Sequence, residues 1–263
     1  MIQTKHALFF DIDGTLVSFK THEIPASTIL ALTQAKANGH RVFIATGRPP
    51  IIITNLGAIE HLIDGYVTTN GALCYVGEEI VSCQAIPSKS ARLLVDDAKE
   101  KGYSLIVVGE QDLAVLDSKG DVDRIFRQQL AVENLVSLKP VEEVLQQRIL
   151  QMTPFFDEAY ERELMSRIPD CTSGRWHPEF TDITSSSADK GKGLACMAEA
   201  LGINTEETIA FGDGGNDIPI IRQAGLGIAM GNACNELKAN AKYVTTSIDA
   251  DGIMNALRHF NIV

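Results

Sequence analysis

The chain reads as an α/β protein: a doubly wound, mostly parallel sheet interrupted in its middle by an α+β insert. Three observations predict this. Strand and helix signals alternate through the first third, they alternate again through the last third, and the stretch between them mixes hairpin and helix signals instead.

The first strand is Ala7-Leu-Phe-Phe10, a short unbroken apolar run of the kind a strand covered on both faces requires. Pro25 then opens a stretch with Ile29, Leu32, Ala35 and Ala37, and Gly39 closes it; proline at the start and glycine just past the end mark a helix. Arg41–Ala45 reads as the second strand, the fifties as a second helix, and Tyr66–Thr68 as the third strand. Strand, helix, strand, helix, strand predicts parallel pairing with right-handed crossovers. In the middle, Ala72–Val76 and Ile80–Val81 flank Gly77-Glu78-Glu79 as a hairpin, Ser88–Lys101 is a helix stopped by Gly102, short strands follow, and Glu158–Ile168 is helical. The insert is placed at 83–184, with Ser185-Ser186-Ser187 as a polar hinge on its return side, so that 1–82 and 185–263 form one discontinuous domain. The last third gives a helix from Gly191 to Leu201, a strand over Thr208–Phe211, a helix over Ile218–Gln223 and a strand over Gly227–Met230. A helix over Asn235–Ala241, a strand over Tyr243–Thr245 and a helix over Ile253–Phe260 complete it.

Bulk properties narrow the chemistry. With 263 residues, 45% of them hydrophobic, the chain can bury a sizeable core. A net charge of −11 repels nucleic-acid backbones and anionic membranes, so a phosphate site must be made locally positive by a metal, a Lys, an Arg or backbone N–H groups. Five cysteines, none spaced as Cys-x-x-Cys, point to inert thiols in a reducing compartment. The apolar run Ala7–Phe10 is too short for a signal peptide and no other run could span a bilayer, so the expectation is a soluble cytoplasmic protein. The six histidines share no spacing and read as structural or surface groups, and Trp176 reads as core of the insert.

Four segments can carry chemistry. Asp11-Ile12-Asp13-Gly14-Thr15 puts two carboxylates at i and i+2 directly after a buried strand, where they share a face and repel unless a hard cation such as magnesium lies between them; the plain alternative is an Asp-Gly turn. Thr46-Gly47-Arg48 follows the second strand, where a hydroxyl and a free amide can grip phosphate oxygens, although a strand-to-helix turn needs small polar residues anyway. Gly212-Asp213-Gly214-Gly215-Asn216-Asp217 follows the Thr208–Phe211 strand, with Asn216 or Asp217 also readable as a helix cap. Asp189-Lys190-Gly191-Lys192-Gly193 opens a helix, where a lysine is ordinarily a solvated charge. What sets these apart from independent turns is joint placement. Asp11, Asp13, Thr46 and Asp213 fall at or just past the carboxyl ends of different strands, the edge at which open α/β sheets bind ligands.

Taken in order, the four segments resemble the four motifs of the haloacid dehalogenase superfamily: Asp11-Ile-Asp-Gly-Thr15 the first, Thr46 the second, Lys190 the third, and Gly212-Asp213-x-x-Asn216-Asp217 the fourth. Asn70-Gly71 and the insert resemble the Cof-type sugar-phosphate phosphatases with an α+β cap. Lys190 and Lys192 both stand near the third motif; Lys-Gly-x-small-Leu over 190–194 fits the family pattern with Lys190 as its lysine. The resemblance covers essentially the whole chain and implies a Rossmann-like core under an inserted cap.

It also implies a mechanism. Asp11 attacks the phosphoryl group and forms an aspartyl-phosphate, and Asp13 acts as acid and then base. Magnesium lies between the Asp11 and Asp213 carboxylates and the Asp13 carbonyl, while Thr46 and Lys190 hold the equatorial oxygens. Gly47, Arg48, Asn70, Gly71 and Asn216 lie near the substrate, and Asp217 supports the metal and phosphate from behind. The expected substrate is a small phosphorylated metabolite, a hexose phosphate in particular, handled by a monomer or weak dimer with no nucleic-acid or membrane partner. A hexose phosphomutase or a non-catalytic phosphometabolite-binding protein on the same scaffold are the competing readings. A chloride-releasing dehalogenase would need neither Asp13 nor Asp213.

Overall fold

Ala7–Phe10 forms β1 near the centre of an eight-stranded sheet, in a computed structural model that describes residues 5–117, 119–129 and 139–263. The other strands of this sheet are β2 (Arg41–Ala45), β3 (Gly65–Thr68), β4 (Leu73–Val76), β5 (Glu79–Cys83), β11 (Thr208–Gly212), β12 (Leu226–Ala229) and β13 (Tyr243–Val244), in the order β13-β12-β11-β1-β2-β3-β4-β5. From β13 to β3 all pairs are parallel; β4 and β5 add an antiparallel hairpin at one edge. The chain leaves β1 toward β2 and later returns to its other side as β11, so the strand order switches beside β1. Register there is pinned by aromatic pairs. Phe9 stacks on Phe43 and Phe10 on Phe211, each with ring centroids 4.8 Å apart, on residues that are also paired in register. The consequence is that Asp11, Thr46 and Asp213 all emerge at one edge of the sheet.

Helices α1 (Ala26–Ala37), α5 (Lys190–Ala200), α6 (Ile218–Gln223), α7 (Asn235–Asn240) and α8 (Gly252–His259) belong to the same compact unit, which comprises 1–47, 53–83 and 189–263. Its core gathers Phe9, Phe43, Leu32, Leu194, Ile221 and Leu257 around the sheet. The helix expected in the fifties is replaced by two short 3₁₀ turns, Pro50–Ile52 and Glu60–Leu62. Pro49-Pro50 removes two N–H donors and the β-branched run Ile51-Ile52-Ile53-Thr54 lowers helix propensity, so no regular helix nucleates.

The second unit comprises 48–52 and 84–188. Measured against the expected insert of 83–184, Cys83 stays with the first unit's β5, the segment through Ala188 stays with the second, and 48–52 joins it from outside. Its sheet holds β6 (Leu105–Gly109), β7 (Leu113–Leu116), β8 (Ile149–Pro154), β9 (Cys171–His177) and β10 (Phe180–Ser185) in the order β7-β6-β8-β10-β9, antiparallel in every pair. Helices α2 (Ser88–Lys101), α3 (Val141–Val144) and α4 (Glu158–Met165) accompany it. In α2 the residues Ala91, Leu94, Val95 and Ala98 keep a helical apolar stripe and share one core with Leu105, Val107, Met152 and Ile183. Asp97 lies on the same helix, and burial alone would raise its pKa. Hydrogen bonds donated by Tyr160 (2.7 Å), Arg167 (2.7 Å) and Tyr103 (3.0 Å) outweigh that and hold the carboxyl below its ordinary range. The Trp176 side chain lies outside the described residues.

All five cysteines are free, and burial pushes the Cys74 thiol up to about 12, as expected of an inert thiol. Among the described residues no helix is long and apolar enough to cross a membrane.

Candidate active site

Asp11 is the first residue past β1, and its N–H donates to the Phe211 carbonyl at 3.1 Å, which continues the β1–β11 ladder by one step. Its side chain is buried. Lys190, the first residue of α5, donates from Nζ to Asp11 Oδ1 and to Asp217 Oδ1, both at 2.6 Å. A lysine at a helix N-terminus faces the positive end of the helix dipole, so these two carboxylates are what make its burial tolerable. The two lysines near the third motif differ in setting: the Lys190 side chain is 0% exposed, whereas that of Lys192 is 55% exposed and pairs with Asp189. Burial alone would depress the Lys190 pKa, but Asp11 and Asp217 carry it above its ordinary value.

Asp213 and Asp217 share one turn after β11. Asp217 Oδ2 accepts the N–H groups of Asp213 and Gly214, both at 3.0 Å. Both oxygens of Asp217 are therefore engaged; through the Gly214 N–H its side chain caps the 3₁₀ turn Gly215–Asp217, and it makes no further cap to α6. Asp213 Oδ1 accepts from Thr15 Oγ1 at 2.9 Å. Gly14 has φ +82 and a Cβ there would lie 2.2 Å from Asp213 Oδ2, so only glycine lets the two loops meet. Asp13 is half-buried on the same loop.

The remaining residues close around this centre. Thr46 is buried; its N–H donates to Val67 O at 2.8 Å and its carbonyl accepts from Asn70 N–H at 3.0 Å. Asn216 Nδ2 donates to Asn70 Oδ1 at 3.0 Å, and both amides stand over Gly47. Asp11, Asp13, Thr46, Gly47, Asn70, Gly71, Lys190, Asp213, Asn216 and Asp217 all belong to the first unit; Arg48 falls in the second, its guanidinium donating to the Ile52 carbonyl at 3.3 Å. Sequence reasoning missed two supports. Thr15 was legible in principle from its place in the first motif. Asn232, which donates to the Gly14 carbonyl at 2.8 Å, carries no local signal.

Electrostatically the centre holds more negative charge than it can keep alone. Asp11, Asp213 and Asp217 each offer a carboxylate oxygen, all within 4.8 Å of one another. Burial, followed by repulsion from Asp217, pushes Asp213 up to about 7 even though Thr15 and Lys190 pull it down. Burial likewise raises Asp11 well above the usual carboxylate range, against the pull of Lys190 and with Asp217, Asp13 and Asp213 adding to the rise. An all-oxygen donor set with this unsatisfied charge fits a hard divalent cation.

Two Asp-bearing strand ends, a hydroxyl and a buried lysine thus meet at the switch point of a parallel α/β sheet, and a family model for haloacid dehalogenase-like hydrolases matches residues 8–257: the chain belongs to that family. Within it the chain is a phosphatase enzyme. It is 47% identical to the solved HAD subclass IIB sugar phosphatase BT4131, with a TM-score of 0.89 over 98% of this chain and 100% of that one. It is 30% identical to YkrA of Bacillus subtilis (strain 168), over 97% of this chain and 98% of that protein. The pyridoxal phosphate phosphatase YbhA of Escherichia coli (strain K12) is 28% identical, over 95% and 96%.

Proposed function

We propose that this protein is a magnesium-dependent phosphatase that hydrolyses small phosphorylated metabolites, sugar phosphates foremost, through an aspartyl-phosphate at Asp11. The observation that carries the reading is the buried Lys190 bonded to both Asp11 and Asp217, which holds a carboxylate as a nucleophile beside a fixed positive charge. Asp11 forms a bond to phosphorus as the bond to the leaving oxygen breaks, and Asp13 gives that oxygen its proton. Asp13 then takes a proton from the water that cleaves the Asp11–phosphate bond, releasing phosphate. Lys190, the Thr46 hydroxyl and the Gly47 amide face the equatorial oxygens, where charge must be held in the transition state. The Asp11 and Asp213 carboxylates and the Asp13 carbonyl would hold magnesium, which would supply neutralising charge for the nucleophile and the phosphate. Asp217 orients Lys190 and the Asp213 loop, and Asn216, Asn70, Gly71 and Arg48 serve the substrate. The sheet-containing insert over 83–184 selects the leaving group, consistent with the likeness to a sugar phosphatase. The setting is cytoplasmic and the state a monomer or weak dimer.

The test is phosphate release from a panel of phosphorylated metabolites, including hexose phosphates and pyridoxal phosphate, with magnesium and with excess chelator. Release from sugar phosphates that stops on chelation and returns with magnesium is expected. Full turnover in chelator would sink the metal assignment. Transfer to a second sugar in place of release would make the protein a phosphomutase.

The Asp213 carboxyl gives a second check. Its folded pKa of about 7 lies above that of an unfolded aspartate, about 3.9. Between those values the folded state holds the extra proton, so this group's contribution to metal-free stability is greatest below pH 4 and is lost as pH rises to 7. Magnesium, which binds the deprotonated form, should raise the melting temperature more at pH 8 than at pH 5. Asp213→Asn should flatten that difference, and an unchanged pH dependence in the variant would place the effect elsewhere.

A further inference from the structure

The turn from β3 to β4 runs through three consecutive left-handed residues: Thr69 and Asn70, each at φ 52, and Gly71 at φ 88. Asparagine and glycine tolerate that region, but a β-branched residue there is an outlier. Thr69 is also fully buried, and its Oγ1 has no hydrogen-bond partner among the described residues. Neither backbone preference nor a bond made by the hydroxyl accounts for threonine at this place; the surroundings hold it there, and strain so held clusters where geometry matters to function.

What the turn touches gives the reason. The Asn70 N–H donates to the Thr46 carbonyl at 3.0 Å, and Asn70 Oδ1 accepts from Asn216 Nδ2 at 3.0 Å. Gly71 lies so close to the peptide ahead of Lys190 that a Cβ on it would stand 2.2 Å from the Asp189 carbonyl oxygen. Asn70 and Gly71 thus meet the loop after β2, the loop after β11 and the start of α5.

We propose that Thr69 is a positioning residue: its stiff, buried, left-handed backbone fixes Asn70 and Gly71, and through them sets Thr46, Asn216 and Lys190 relative to one another before a phosphate ester arrives. The proposal rests on the phosphatase reading above. Donors fixed in advance act most on the transition state, so the loss on loosening the turn falls on kcat more than on KM.

Thr69→Gly relieves the strain and frees the turn. It should fold with a melting temperature equal to or above wild type, lower kcat at least tenfold on a sugar phosphate, and leave KM within about threefold. Thr69→Val keeps the branched shape without the hydroxyl and should keep kcat within about twofold of wild type. The double variant Thr69→Gly/Asn70→Gly should be no slower than Asn70→Gly alone, because both changes act through the same contact. Thr69→Gly turning over as fast as wild type, Thr69→Val as slow as Thr69→Gly, or additive losses in the double variant would each overturn the positioning role. Should Thr69→Val fail to fold, the glycine variant and the double variant still decide. Orthovanadate with magnesium, read as a rise in melting temperature, separates this from the activity itself. A wild-type protein that neither releases phosphate nor responds to orthovanadate refutes the phosphatase reading. One that does both, with Thr69→Gly unimpaired, refutes only the role of Thr69.

Discussion

Lys190→Met is expected to be the most damaging single substitution in stability, at about 3–5 kcal/mol, the usual loss when one partner of a buried ion pair is removed. Lys190 is the cation bonded to Asp11 and Asp217, both at 2.6 Å, and its side chain is fully buried. Without it, the carboxylates of Asp11, Asp213 and Asp217 crowd one centre with no lysine charge between them, and a thioether satisfies none of them. A fall in melting temperature of roughly 10 °C is expected at neutral pH. The loss should shrink as pH is lowered, because protonation of Asp11 and Asp213, both already raised above the ordinary carboxylate range, relieves the repulsion. Combining Lys190→Met with Asp217→Asn should recover part of the stability but not the activity. A single variant that melts with wild type would show that the lysine charge is compensated elsewhere.

Asp11→Asn separates the two properties in the opposite sense. The amide keeps the shape of the side chain and can still accept from Lys190, while one of the crowded carboxylates disappears, so stability should hold or rise. Turnover should vanish, because an amide is a poor nucleophile and a poor magnesium ligand; a barrier increase of several kcal/mol corresponds to a loss of a thousandfold or more. Phosphate release and thermal melting on the same preparation check both halves. Residual activity above roughly 1% of wild type would point to a different nucleophile. Stability gained where activity is lost is the pattern expected of a site strained for function.

Much of the arrangement is legible in the order of the residues alone. Strands such as Ala7–Phe10, Arg41–Ala45 and Thr208–Gly212 announce themselves because a parallel strand buried on both faces must be apolar throughout, and the polar residue that ends the run is where chemistry begins. The helix expected in the fifties did not form, since prolines and β-branched residues defeat a pattern that looks periodic when only apolar positions are counted. Asp217, read as a support for metal and phosphate or as a cap, is a buried partner of Lys190 and accepts from the N–H groups of Asp213 and Gly214, contacts that no local pattern shows.

By itself the sequence determined the α/β class, the edge of the sheet at which Asp11, Thr46 and Asp213 gather, and the residue types assembled there, because these follow from local hydrophobic pattern and from which side chains end each strand. Only the tertiary structure buried Lys190 and left Lys192 exposed, bound Thr15 to Asp213 and Asn232 to the Gly14 carbonyl, and placed Thr69 in a left-handed turn. Each of those outcomes depends on partners far away in the chain, and burial, charge pairing and backbone strain are set by what lies across the gap rather than by neighbours in sequence.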